Sequence, residues 1–228
     1  MRKIAVALPI SGLSAEELSR RERVVRTHLP PGLTAQIVTS PTSPKFLDKQ
    51  QHFGDAVDAA VEFFRNIDPA EFAVVVSAGA LDPGLARARE ACPVPVIGPG
   101  EASLYLASIF GRPLSIVTVD EFAVVATHEF LAEVAVKPPI ASVRSMDLPV
   151  SRMVNDLALG LETLVRECGL AVSEDGAEAL YLGSMTLGTL GVAETLQETL
   201  GVPVFDPVRI AINAAAQCVY AMEPKPST

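Results

Sequence analysis

At 228 residues, with 49% hydrophobic and 20% charged side chains, the chain can bury a substantial core and is too apolar to be disordered. A formal net charge of -9, with no basic stripe carrying interleaved aromatics, excludes a phosphate-backbone partner, so no nucleic acid is expected. No apolar run reaches membrane-spanning length, and the cysteines, Cys92, Cys168 and Cys218, share no metal-ligand spacing; no membrane, metal or disulfide framework is expected, and a reducing cytoplasm is the expected setting.

The chain opens on an apolar stretch, Ile4–Ile10, that follows Arg2 and Lys3. It is too short for a signal-peptide core and reads as a buried strand, Ile4–Leu8. A helix over Ala15–Thr27 follows Ser14, with Glu16 and Glu17 favouring its first turn. Next come a strand over Thr34–Val38, a Pro/Ser-rich loop over Ser40–Lys49, a helix over Gly54–Asn66 and a strand over Ala73–Ser77. A helix over Pro83–Ala91, a strand over Val94–Ile97 and a helix over Ser103–Phe110 complete the first part. The second part reads as strands Ser115–Thr118, Ala141–Ser145, Leu180–Leu182 and Val202–Phe205. Helices Glu121–Ala135, Val150–Glu167, Gly191–Leu200 and Pro207–Met222 alternate with them, and the tail Glu223–Thr228 reads as frayed.

Strands that are continuous apolar runs, alternating with helices, predict a parallel α/β architecture. One unit also occurs twice. Glu71–Pro99 and Glu178–Pro207 are each a hydrophobic strand, a small-residue turn, a helix, and a Pro-Val strand ending in a second turn. Lys3–Pro9 is echoed by Pro113–Val119. The expected fold is therefore two pseudo-symmetric parallel-sheet α/β halves facing each other across a cleft. The first spans residues 1–111 and is completed by the C-terminal helix 207–222; the second spans 112–206.

Ligands of open parallel sheets bind outside the carboxyl ends of the strands. The residues there include Pro9, Ser11, Ser77, Gly79, Ala80, Leu81, Thr118, Gly183, Met185 and Thr186. Such a rim offers hydroxyls, backbone N–H groups and helix N-termini, which suit a small carboxylate or imide. Ser184 sits between a strand and a helix, where its hydroxyl and the N–H groups of Met185 and Thr186 suit an oxyanion; alternatively, a tight turn simply needs a small residue. Gly79 reads as space-making. Asp82 precedes Pro83 and reads as a helix N-cap. Glu101 lies on the rim, and His52 lies beside the Ser40–Lys49 loop, so both are candidate acid–base groups alongside Asp120. His28 and His128 read as surface residues.

The stretches Asp82–Glu90 (DPGLARARE), Pro95–Ala102 (PVIGPGEA), Pro113–Thr118 (PLSIVT), Leu180–Thr186 (LYLGSMT) and Gly201–Asp206 (GVPVFD) carry a resemblance over nearly the whole chain. They resemble the aspartate/glutamate/hydantoin racemase superfamily, most closely its hydantoin racemase branch. The resemblance implies two pseudo-symmetric halves with the active site between them. It also implies cofactor-free inversion at a carbon next to a carbonyl, by two cysteines on opposite faces. Here the first cysteine position falls on Gly79 and the second on Ser184. The arylmalonate decarboxylase branch has Gly at the first position but keeps Cys at the second, and uses a tyrosine near the point where Asp120 stands here.

Two functions are expected from this combination. The first is an enzyme of altered chemistry, an isomerase, racemase or decarboxylase-like lyase. It would act without cofactor on an amino acid, hydantoin or malonate-like compound through an enolate-type intermediate. Its catalytic candidates are Ser184, His52, Asp120 and Glu101. The second is a small-ligand-binding homologue without catalysis. Its partners are expected to be a small molecule and further copies of itself.

Overall fold

Continuous apolar strands such as Phe72–Ser77 (FAVVVS) expose two greasy faces, and the fold covers both. The computed structural model describes residues 2–47 and 49–222, so the tail expected to fray, Glu223–Thr228, lies outside the described residues. The first sheet runs β2-β1-β3-β4, from β1 (Arg2–Leu8), β2 (Leu33–Thr39), β3 (Phe72–Ser77) and β4 (Val96–Ile97). The second repeats that order as β6-β5-β7-β8, from β5 (Leu114–Thr118), β6 (Ile140–Ser145), β7 (Ala179–Leu182) and β8 (Val204–Phe205). All pairings are parallel; Ile4, for example, lies between Ala35 and Val74. The fold is α/β, as the strand–helix alternation predicts.

The helices are α1 (Ala15–Thr27), α2 (Gln50–Arg65), α3 (Leu85–Ala91), α4 (Pro99–Phe110), α5 (Glu121–Glu133), α6 (Val150–Met153), α7 (Leu157–Ser173), α8 (Met185–Gly188), α9 (Ala193–Leu200) and α10 (Pro207–Ala221). α2 begins four residues earlier than expected, at Gln50 rather than Gly54, and three further helices depart for identifiable reasons. α3 begins at Leu85 rather than Pro83, because Asp82 (φ 50°) and Gly84 (φ 67°) both take left-handed backbone. α4 begins four residues early, at Pro99, since proline suits a first helical position. The helix expected over Val150–Glu167 is broken: Asp156 accepts a hydrogen bond from the Leu159 N–H at 3.0 Å and starts α7 afresh. The short α8 was not expected at all.

Two helices cross between the halves. α10 follows the last strand of the second sheet, yet its Val208, Ala211, Ile212, Ala215 and Val219 pack on Ile4, Val6, Val74 and Val76 of the first. Reciprocally, α4 follows β4 but buries Leu104 and Ala107 against Leu114, Ile116, Tyr181 and Phe205. Val208, Ile212 and Val219 are each almost fully buried. At about 1.5–3 kcal/mol per such side chain, this packing joins the halves far more strongly than exposed ion pairs, worth about 0–1 kcal/mol each. The carboxyl ends of both sheets thereby meet across one cleft.

Candidate active site

The turns after β3 and β7 border the same cleft, which holds about 730 Å³ between its walls and its open mouth. Gly79 and Ser184, a hundred residues apart, both line it. So do Pro9, Ala80, Leu81, Thr118, Asp120, Gly183, Met185 and Thr186 among the residues expected from sequence. A buried hydrogen bond from the Tyr181 hydroxyl to the Ala80 carbonyl, 2.9 Å, pins the first turn to a strand of the other half.

Gly79 is glycine for want of room. A Cβ there would lie 2.7 Å from Pro83 Cδ and 3.0 Å from Pro83 Cγ. The Asp82–Pro83–Gly84 turn, with its two left-handed residues, is what brings the ring so near. Gly79→Cys is accordingly expected to lose about 1–3 kcal/mol of stability, as overpacked sites do. Urea unfolding measures it, and an unchanged midpoint would show that the turn yields freely.

On the other turn, Ser184 caps α8, its hydroxyl accepting from the Thr186 N–H at 3.2 Å. The backbone N–H groups of Met185, Ala80 and Leu81 make no hydrogen bond among the described residues. They and the Ser184 hydroxyl are the donors available to a ligand oxygen. Among the described residues, the hydroxyl of fully buried Thr118 reaches only the Gly183 carbonyl, at 3.4 Å. Asp120 caps α5, accepting from the Ala123 N–H at 2.8 Å, and brings a carboxylate to the cleft wall.

Four expected residues do not line the cleft. Ser77 is the last residue of β3 and faces a separate small cavity with Ser40 and Ser43; strand alternation gives the cleft Ala78 instead. Ser11 is spent on the loop before α2: its hydroxyl donates to the Ser43 carbonyl at 2.8 Å and its N–H to the Pro44 carbonyl at 2.9 Å. Glu101 points outward and pairs with Arg89 at 2.9 Å. His52 lies on α2, its Nδ1 buried without a hydrogen-bond partner among the described residues, while its neighbour Phe53 reaches the cleft.

Asp82 is a cap, but of a different helix from the one it precedes. Its Oδ1 accepts from the Gly100 N–H at 3.0 Å and its Oδ2 from the Glu101 N–H at 2.5 Å, at the start of α4. Room for it exists because residue 98 is glycine: a Cβ there would lie 2.6 Å from Asp82 Oδ2. Burial pushes the carboxyl up to about 7 against the pull of those two N–H groups. The second half caps α10 with its own Asp206, whose Oδ1 accepts from the Val208 N–H at 2.8 Å.

Sequence reading missed Arg21, Phe53 and Phe122, all of which line the cleft. Phe53 of α2 meets Phe122 of α5 edge-on, ring centroids 5.2 Å apart, so an aromatic contact spans the halves. Arg21 is almost fully buried, hydrogen-bonded to Thr186. One signal was available: Glu17, Arg21 and Val25 share a spacing of four, and all three are the buried residues of α1. No cysteine lines the cleft. Cys168 is buried in the core of the second half, its thiol pushed up to about 12 by burial and the Glu167 charge. Among the described residues no helix is long and apolar enough to cross a membrane.

A family model described as Asp/Glu/Hydantoin racemase matches residues 14–215. A hydantoin racemase of Paenarthrobacter aurescens is 36% identical over 138 residues, which span 60% of this chain and 58% of that protein. Among solved structures, an allantoin racemase from Klebsiella pneumoniae superposes with a TM-score of 0.86 at 26% identity, over 97% of this chain and 89% of that one. An allantoin racemase from Pseudomonas fluorescens gives 0.85 at 25% identity, over 99% and 98%.

Proposed function

We propose that this chain, which belongs to the Asp/Glu/hydantoin racemase family, is an enzyme that forms an enolate next to a carbonyl without using a cysteine thiol. The observation that carries this reading is a single cleft bordered by Gly79, Ser184 and Asp120, with no cysteine on its walls. Asp120 takes the proton from the carbon next to the carbonyl. The electron pair moves onto the carbonyl oxygen, where the Ser184 hydroxyl and the Met185 N–H hold the developing charge. Water in the open cleft returns a proton to the opposite face, which inverts the centre, and Asp120 releases the proton it took to solvent; loss of carbon dioxide from a malonate-like compound would reach the same enolate without the base. No cofactor enters this scheme, and the substrates are small carbonyl or carboxylate compounds of the amino acid, hydantoin or malonate kind.

Exchange of solvent deuterium into the α-carbon, followed by NMR over amino acids, hydantoins and substituted malonates, tests it. At least one class should exchange or decarboxylate. A ligand that binds the cleft yet never does either favours the second reading, a binding protein without catalysis, which the missing thiols also support. Turnover should further survive iodoacetamide, because Cys92, Cys168 and Cys218 all lie off the cleft; inactivation would put a thiol back in the chemistry.

Self-association in the cytoplasm belongs to the same proposal. Tyr105, Ile109 and Phe110 are each more than half exposed on α4, a cluster of apolar surface that monomers seldom leave open. Sedimentation should show a species larger than the monomer that Ile109→Glu breaks down; a wild-type monomer would end that part of the proposal.

A further inference from the structure

We propose that Arg21 makes this cleft select a carboxylate-bearing compound over a neutral ring of the same skeleton, an inference that rests on the cleft being the substrate site. Arg21 lies on the inward stripe of α1 with Glu17 and Val25, at 2% exposure, and borders the cleft. Its Nε donates to Glu17 Oε1 at 2.7 Å and its Nη2 to Thr186 Oγ1 at 2.9 Å, two residues beyond Ser184. Its Nη1 makes no hydrogen bond among the described residues.

Glu17 has two cationic partners. Arg20 uses the same carboxylate, with Nε 2.6 Å from Oε2 and Nη2 2.7 Å from Oε1. Two guanidinium groups share one carboxylate, so the Glu17 cluster keeps one positive charge in surplus on its own side of the cleft, while the Asp120 carboxylate stands on the wall contributed by the other half. Burial holds the Arg21 guanidinium below its ordinary pKa even with Glu17 in contact, as expected where surroundings neutralise a charge only in part. A ligand carboxylate supplies the missing charge, and a guanidinium edge is the donor geometry that fits it. A neutral ring supplies none and would cover the charge without compensating it.

The remaining walls define the rest of the ligand. Phe53, Phe122, Leu47 and Ile10 make the cleft mainly apolar. The compound is therefore a small carboxylic acid with a hydrocarbon side group and its reacting carbon near Ser184. Asp120, from the other half, borders the same cleft and is where an N–H group of such a compound would be accepted.

Two probes share one skeleton and differ in the feature at issue. N-carbamoylphenylalanine carries a free carboxylate, whereas 5-benzylhydantoin is its ring-closed, neutral counterpart. Calorimetric titration of the wild-type protein should show the carboxylate binding at least about 10-fold tighter. Arg21→Met should weaken the carboxylate about 10- to 100-fold and leave the ring within about 3-fold. Glu17→Gln/Arg21→Met removes the pair together and should give the same pattern, which separates lost recognition from a buried Glu17 left with Arg20 as its one guanidinium partner. The inference is overturned if the wild type prefers the ring or fails to bind the carboxylate, or if the folded variants treat both probes alike. Ala123→Phe, filling the cleft from α5, tells the two levels apart. If it leaves both probes bound, the cleft is not the ligand site. If it abolishes both while Arg21→Met keeps the carboxylate preference, only the role of Arg21 fails.

Discussion

Replacing Ser184 by alanine is expected to lower turnover about 100-fold or more while costing the fold only about 1 kcal/mol. The two effects come from two bonds of one hydroxyl. As a cap it accepts from the Thr186 N–H at 3.2 Å, and losing such a cap costs about 0.5–2 kcal/mol. In the proposed reaction it would donate to an enolate oxygen where the charge develops, and removing one donor of that kind costs about 10²–10³ in kcat. Ser184→Thr keeps both bonds and should retain more of the turnover. A folded Ser184→Ala with unchanged kcat would show that the hydroxyl serves the turn alone. Glu101→Gln makes a useful control, since that carboxylate faces solvent and pairs with Arg89.

The second large effect concerns stability against pH and centres on Asp82. Its folded-state pKa stands at about 7, against an ordinary 3.8, because the carboxyl is buried at the start of α4. Between those values the folded chain holds a proton that the unfolded chain releases. The resulting stabilisation is complete below about pH 4 and is lost as pH rises through about 7. The gap of about 3 pH units, at about 1.4 kcal/mol each, gives up to roughly 4 kcal/mol. Asp82→Asn has no proton to lose and keeps one acceptor for the Gly100 N–H. Urea unfolding at about pH 4 and about pH 8 should therefore show the wild type losing ground to the variant as pH rises. A gap that stays constant with pH would mean that Asp82 is ionised throughout, held by its two N–H bonds.

How far the site was legible in the sequence depended on the range of the contact involved. Ser184, Gly79, Thr118, Asp120 and Met185 sit within three residues of a strand's carboxyl end, so locating the strands located them. Glu101 shares that neighbourhood but turns outward, its carboxylate pairing with Arg89 from the first turn of α4. Ser77 missed the cleft by one residue, and a strand sends alternate side chains to opposite faces. Helix starts behaved similarly. Ser14 caps α1 through a bond three residues away and was readable, whereas the cap of α4 comes from Asp82, eighteen residues from Gly100.

By itself the sequence determined the architecture. Two sets of buried strands, alternating with helices and repeating the same turn–helix–strand unit, are local patterns that burial enforces along the chain, and they lead to two matched parallel sheets. It also determined that neither matched turn carries a thiol. Only the tertiary structure decided what else borders the cleft between those turns. Arg21 meets Thr186 across 165 positions, and Phe53 meets Phe122 across the two halves. Such contacts follow from how α1, α2 and α5 pack around the cleft, and no periodicity in any one segment encodes them. The two turns are thus written in the chain, while the buried Arg21 charge beside the cleft arises from packing.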